Sequence, residues 1–199
     1  MSGSSIYLAT TNQGLCVSRD AGSTWTQYSK DKGLADNYLT GVTVSGNYIY
    51  VSTSNKGISI SRNKGSSWNT YDMKDGFGIG ITRDISVSGS NIYVATMNGL
   101  STSNDNGLTW TNTKSNIGIG GNQISDIQCI GSRVMMATGW GTATSSNDGR
   151  SWENTALIRE ELVGFSVDCI AFSGQTICIG TSFGLMVSPD NGSTWTNHN

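Results

Sequence analysis

The sequence predicts an all-β protein made of five copies of one antiparallel unit. Three observations predict it. An eight-residue motif ending in Trp recurs five times at a nearly constant step. The same order of short apolar runs and turns surrounds each copy. No segment sustains a 3.6-residue apolar period; one helical turn over Leu157 to Gly164 is the most helix expected.

The repeat is read first, because a fixed period decides the architecture before local propensity does. Trp stands at 25, 68, 110, 152 and 195, at steps of 43, 42, 42 and 43. The five motifs are Ser18-Arg-Asp20-Ala-Gly22-Ser-Thr-Trp25, Ser61-Arg-Asn63-Lys-Gly65-Ser-Ser-Trp68, Ser103-Asn-Asp105-Asn-Gly107-Leu-Thr-Trp110, Ser145-Ser-Asn147-Asp-Gly149-Arg-Ser-Trp152 and Ser188-Pro-Asp190-Asn-Gly192-Ser-Thr-Trp195. Before each stands a β-branched run such as Ile6-Tyr-Leu-Ala-Thr10 or Ile92-Tyr-Val-Ala-Thr96, then a short turn and a second run opening on Gly14, Gly57, Gly99, Gly141 or Gly184. Ahead of four of the five lies a further run closing on Gly46, Gly89, Gly131 or Gly174. Short alternating runs joined by Gly, Asn and Ser are hairpin signals. Each unit is therefore four strands, A to D, with the Trp motif at the C–D turn.

Four-stranded units of about 42 residues read as blades of a β-propeller. The expected fold is a five-bladed β-propeller forming one domain over 1–199, with blades at 1–29, 30–72, 73–114, 115–156 and 157–199. Met1-Ser-Gly3 matches Val87-Ser-Gly89, so the first blade is expected to lack its inner strand A. Three explanations stand: a segment of a longer propeller, a homo-oligomer completing the first blade, or five blades that close without that strand.

The pattern Ser-x-Asp-x-Gly-x-Thr-Trp resembles the Asp-box, or BNR repeat, of sialidase, sortilin and photosystem II assembly-factor propellers. The resemblance covers nearly the whole chain. It implies a propeller and, since such proteins are commonly secreted, a secreted or cell-surface location. It implies no single activity. Within each box, Asp or Asn accepts backbone N–H bonds, Gly supplies a positive φ, and Ser or Thr adds a local bond. The Trp is expected to wedge between blades. A calcium loop needs more acidic residues per turn than the boxes hold, so no metal and no cofactor is expected.

Composition narrows function further. Charged residues are 13% of the chain and the net charge is −2. No basic excess exists for phosphates, so nucleic acid is not an expected partner. No apolar run approaches 18 residues and no signal-peptide pattern is visible, so membrane insertion is not expected. The variable loops lie on the face that carries the D–A and B–C connections, at 29–37, 72–82, 114–123 and 156–164. Trp140, between two glycines, is either a stacking platform there or folded onto its blade; Phe183 holds the equivalent turn of the next blade. Arg83, Asp84 and Asp126 complete the candidate ligand-binding set.

The sialidase catalytic set is missing: Arg19, Arg62, Arg133 and Arg150 fall on the opposite face, leaving only Arg83 and Arg159. Another glycoside hydrolase would need two carboxyls at a fixed separation; Asp84 and Asp126, on matching inner strands, are the best pair, with Glu160 and Glu161 in a loop. His198, the only His, is terminal, so Ser-His and Cys-His catalysis lacks a base. Cys169 and Cys178 face each other if Ser173-Gly174 is the hairpin turn, which leaves a disulfide or two free thiols open. The reading is a non-catalytic binding or scaffolding module for a glycan or a protein. The alternatives are the Asp84/Asp126 hydrolase and a truncated or engineered propeller without an evolved ligand.

Overall fold

The computed structural model describes residues 4–78, 80–113, 122–139, 141–155, 167–182 and 184–198. Five antiparallel sheets follow one another along the chain. Blade 1 is three-stranded: β1 (Ile6–Ala9), β2 (Leu15–Ser18) and β3 (Thr26–Tyr28). Blade 2 holds β4 (Leu39–Ser45), β5 (Tyr48–Thr53), β6 (Ile58–Ser61) and β7 (Asn69–Tyr71). Blade 3 holds β8 (Thr82–Ser88), β9 (Asn91–Thr96), β10 (Gly99–Ser103) and β11 (Thr111–Thr113). Blade 4 holds β12 (Ile124–Ile130), β13 (Arg133–Thr138), β14 (Gly141–Ser145) and β15 (Glu153–Thr155). Blade 5 holds β16 (Val167–Ser173), β17 (Thr176–Thr181), β18 (Gly184–Ser188) and β19 (Thr196–His198). The inner strands β4, β8, β12 and β16 are successive neighbours, and β1 lies beside β4. This is the arrangement of propeller blades, with the first lacking strand A.

The core lies between blades rather than within them. Tyr7, Leu15 and Val17 of blade 1 pack on Ile49, Val51 and Trp68 of blade 2. Tyr50 and Ile58 meet Ile85, Ile92 and Trp110 of blade 3. Tyr93 and Leu100 meet Ile127, Met136 and Trp152 of blade 4. Met135 and Ala137 meet Ile170, Ile179 and Trp195 of blade 5. Alternation along a strand sends successive side chains to opposite neighbours; in the inner blades both faces are buried, so β5, β9 and β13 read as continuous apolar runs.

Each inner strand carries one β-bulge, between Leu39 and Gly41, Thr82 and Asp84, Ile124 and Asp126, and Val167 and Cys169. The A–B hairpin places Gly174-Gln175, not Ser173-Gly174, in the turn, because Ser173 pairs with Thr176. Gly174 takes φ +59, the left-handed geometry a first turn residue needs. The register therefore shifts by two from the expected one. Cys178 faces Ala171 and Cys169 faces Gly180, where an added Cβ would fall 2.5 Å from the Cys169 Sγ. The expected Cys169–Cys178 pair is not formed, and both thiols are free. Likewise Asp84 faces Ala95 rather than Tyr93, and Asp126 faces Ala137 rather than Met135.

Two 3-10 turns that the sequence reading did not anticipate cover Lys30–Lys32 and Met73–Asp75. The second is fixed by a capping box in which Asp72 accepts from Lys74 N–H and Asp75 accepts from Asp72 N–H. The expected helical turn over 157–164 lies outside the described residues.

Candidate functional site

The five motif turns share one wiring. In the first, Ser18 Oγ donates to Asp20 Oδ1 at 2.8 Å and accepts from Gly22 N–H at 2.7 Å. Asp20 then accepts from Thr24 N–H at 2.8 Å and from Thr24 Oγ1 at 2.7 Å. These bonds, the Thr24 hydroxyl first, hold the Asp20 carboxyl down at about 2. Asn63 and Asn147 build the same turn without charge: each side-chain oxygen accepts the N–H, and each Nδ2 donates to Ser67 or Ser151 Oγ at 2.8 Å. The turn thus works through local hydrogen bonds and does not require an anionic ligand set. Gly22, Gly65, Gly107, Gly149 and Gly192 all have positive φ, as expected. The residue before each, Ala21, Lys64, Asn106, Asp148 or Asn191, is also left-handed at φ 57 to 60. That second requirement explains why Asn and Asp recur there.

Four of the motif tryptophans pack against the preceding blade. Trp68 meets Tyr28 edge-on at 5.8 Å, and Trp110 meets Phe77 at 5.1 Å and Tyr71 at 6.1 Å. Trp25 departs from the expectation. Among the described residues no blade packs on it, and it is 45% exposed.

On the inner strands the bulges turn Asp84 and Asp126 toward the following blade. Asp126 Oδ2 accepts from Ile170 N–H at 2.7 Å, and Asp84 Oδ2 from Ile127 N–H at 3.3 Å. The same Ile127 N–H reaches Asp126 Oδ1 at 2.8 Å. Beside them Ser86 Oγ accepts from Cys129 N–H, and Gln128 Oε1 from Phe172 N–H. These side chains clasp adjacent inner strands where no sheet ladder joins them. The two carboxyls thus share the Ile127 N–H. Burial first, then interaction with the Asp126 carboxyl, pushes the Asp84 carboxyl up to about 7. Glycoside hydrolysis needs carboxyls held roughly 5–9.5 Å apart. Here the two carboxyls share one backbone donor and Asp126 also holds the Ile170 N–H, so they serve the contact between inner strands.

Arg83 sits at the bulge beside Asp84, exposed, with its guanidinium 3.7 Å from Met97 Sδ. Trp140, Phe183, Arg159, Glu160 and Glu161 lie outside the described residues. The loop-bearing face shows another feature, a cavity of about 360 Å³ between blades 2 and 3. Its walls include Asn55, Lys56, Met73, Lys74, Phe77 and Gly80. Sequence reasoning placed the 72–82 loop on this face but did not single out Met73, Lys74 or Phe77, nor Asn55 and Lys56, as site residues. The signal was the Asp72-x-x-Asp75 capping box, which fixes the turn that presents Met73 and Lys74. Gly78 holds the other wall: its N–H donates to Ser101 Oγ at 2.9 Å, and an added Cβ would fall 2.1 Å from Asn112 Nδ2. The Gly-rich stretch at 76–80 is therefore a packing device that lays Phe77 on Trp110. Among the described residues no ion pair engages the Lys56 or Lys74 ammonium, and no cluster of three potential metal ligands occurs.

The LVIVD repeat family matches this chain over residues 36–60 and 79–101. A search of curated proteins returned no match. Among solved structures, the chain is similar to an ancestral GH74 enzyme (TM-score 0.75, 18% identity, 98% of this chain and 29% of that one). It is similar to the extracellular domain of a B. thetaiotaomicron protein described as a one component system (TM-score 0.73, 17% identity, 97% and 27%). It also resembles YCF48 from Cyanidioschyzon merolae (TM-score 0.62, 17% identity, 80% and 55%). The chain thus spans less than two thirds of the length of each. At these identities the likeness is one of β-propeller fold, and it joins an enzyme to an extracellular domain of a different kind of protein. No described helix is long and apolar enough to cross a membrane.

Proposed function

We propose that this chain is a non-catalytic binding module, secreted or at the cell surface, that takes a protein segment on its loop-bearing face. The observation that carries the reading is the cavity of about 360 Å³ between blades 2 and 3. It joins the apolar side chains of Met73 and Phe77 to the cations of Lys56 and Lys74. Met73 is 59% exposed, although apolar, on a turn held rigid by its capping box. Such a surface suits an apolar anchor residue flanked by carboxylates. The Asp84/Asp126 pair supports the non-catalytic reading, because its oxygens are committed to holding blades together. The resemblance of the motif turns to Asp-boxes supports a propeller lineage and adds no activity.

The test is a peptide array with apolar residues flanked by Asp and Glu, run beside a glycan array. Acidic-apolar peptides should bind, and Lys56→Glu with Lys74→Glu should weaken binding at least about tenfold without lowering the unfolding midpoint. Binding to glycans alone, or peptide binding indifferent to both changes, refutes the reading.

A further inference from the structure

On the face opposite the loops, an arginine joins each of the first two motif turns to the next. Arg19 Nη2 donates to Lys64 O at 2.7 Å. Arg62 Nη2 donates to Asn106 O at 3.0 Å and to Tyr71 Oη at 3.2 Å. Both acceptors are carbonyls of left-handed motif residues, and Asp148 repeats that backbone at φ 59. The arginine position before it holds Asn104, whose side chain ends several bonds short of a guanidinium. Two more positions shrink at the same contact. Thr102 stands where Ile60 does, and Thr113 where Tyr71 does. An added Cβ at Gly107 would meet Ile60, whereas one at Gly149 would meet the rings of Tyr93 and Trp152. A cavity of about 240 Å³ results between blades 3 and 4, and Asn91, Tyr93, Thr102, Asn104, Asp148 and Arg150 are among its walls. Tyr93 is 1% exposed, yet its buried hydroxyl has no hydrogen-bond partner among the described residues. An orphaned buried hydroxyl is costly and calls for a partner. Asn91 Nδ2 donates to Asp148 Oδ1 at 3.3 Å, and the Asp148 charge acts on the Tyr93 hydroxyl. The contact between blades 4 and 5 lacks the arginine too, with Ser146 in its place, but Met135 stands there for Tyr93 and brings no hydroxyl.

We propose that this cavity binds the guanidinium of an arginine side chain from a partner protein, seated as Arg19 and Arg62 seat their own at the two preceding contacts. The guanidinium donates to Asp148 O, the counterpart of Lys64 O and Asn106 O. The Tyr93 hydroxyl accepts a second N–H, as Tyr71 Oη does from Arg62. The Asp148 carboxylate supplies the opposite charge. Several acceptors around one opening suit a planar fork of donors better than the point charge of a lysine. Arg150, exposed at the rim, opposes the cation and holds the affinity down. The site lies on the other face from the cavity of Met73 and Lys74 and stands independently of it.

An NMR titration of the isotope-labelled chain with N-acetylarginine amide tests this, with N-acetyllysine amide as the control for charge alone. The arginine compound should shift the backbone amides of Thr102, Asn104, Asp148 and Gly149 and saturate with a Kd of about 1–10 mM. The lysine compound should bind at least about fivefold more weakly, because it lacks the planar fork. Asn104→Arg, at an exposed position, should abolish binding, since its own guanidinium fills the cavity as that of Arg62 fills the contact before. Tyr93→Phe and Asp148→Asn should each weaken binding at least about threefold without lowering the unfolding midpoint. Arg150→Ala should tighten it by removing a like charge. No saturable shift at these residues, an equal response to the lysine compound, or unchanged binding by Asn104→Arg overturns the proposal. So does weaker binding by Arg150→Ala, since that would assign the cavity to an anion.

Discussion

Replacing Asp84 by Asn isolates the charge of the inner clasp. The amide keeps the size of the carboxyl, can still accept from Ile127 N–H and can donate to Asp126. The folded-state value of Asp84 is about 7, raised from 3.8, first by burial and then by Asp126. Between those values the folded chain holds a proton that the unfolded chain has released. The sign follows: stability from this group is present in full below about pH 4 and declines as pH rises to about 7. At about 1.4 kcal/mol per pH unit the ceiling is about 4 kcal/mol. Solvent and relaxation reduce it, so about 1–4 kcal/mol is expected. Asp84→Asn should match wild type near pH 4 and exceed it at pH 8, with the gap opening between. Urea unfolding followed by Trp fluorescence at several pH values measures this, with equal m-values as the check on two-state behaviour. Parallel curves for the two proteins, or a less stable variant at pH 8, would show that Asp84 does not take up a proton on folding.

The blade wedges give a graded prediction. Trp110→Ala should cost about 3–5 kcal/mol, because the indole is buried against Phe77 and Tyr71. Trp25→Ala should cost well under half of that, since the ring is half in solvent; comparable losses in denaturant unfolding would contradict the packing described. The left-handed residue before each motif glycine gives the opposite sign. Lys64→Asn should raise stability by about 0.5–1 kcal/mol, because Asn occupies that backbone region more readily than Lys; a lowered midpoint would refute it.

The propeller was legible because its signals are periodic. A Trp every 42 or 43 residues, and runs bounded by Gly turns, survive any error in a single element. Register was less legible. Whether Ser173-Gly174 or Gly174-Gln175 makes the turn depends on which residue takes φ +59, and both pairs fit a Gly-containing hairpin. The bulges at Thr40, Arg83, Ser125 and Asp168 fall on four unrelated residue types, so composition does not announce them. Those bulges aim Asp84 and Asp126 sideways at the next blade. From the strand pattern alone, two matching carboxylates near the axis were ligand-binding candidates and the best pair for the alternative hydrolase reading. The loop cavity was missed for a related reason: Met73 and Lys74 look like surface residues until the Asp72–Asp75 cap fixes the turn beneath them.

The motif turns have a consequence for how the blades are fastened in order. Within each one, the side-chain bonds run between residues no more than four apart. A blade therefore carries the bonds that shape its own turn, while Arg19 and Arg62 each donate onward to a carbonyl of the next turn, Lys64 O at 2.7 Å and Asn106 O at 3.0 Å. Shape is thus settled one turn at a time, and order two turns at a time, since removing a blade would strand a guanidinium of the turn before it.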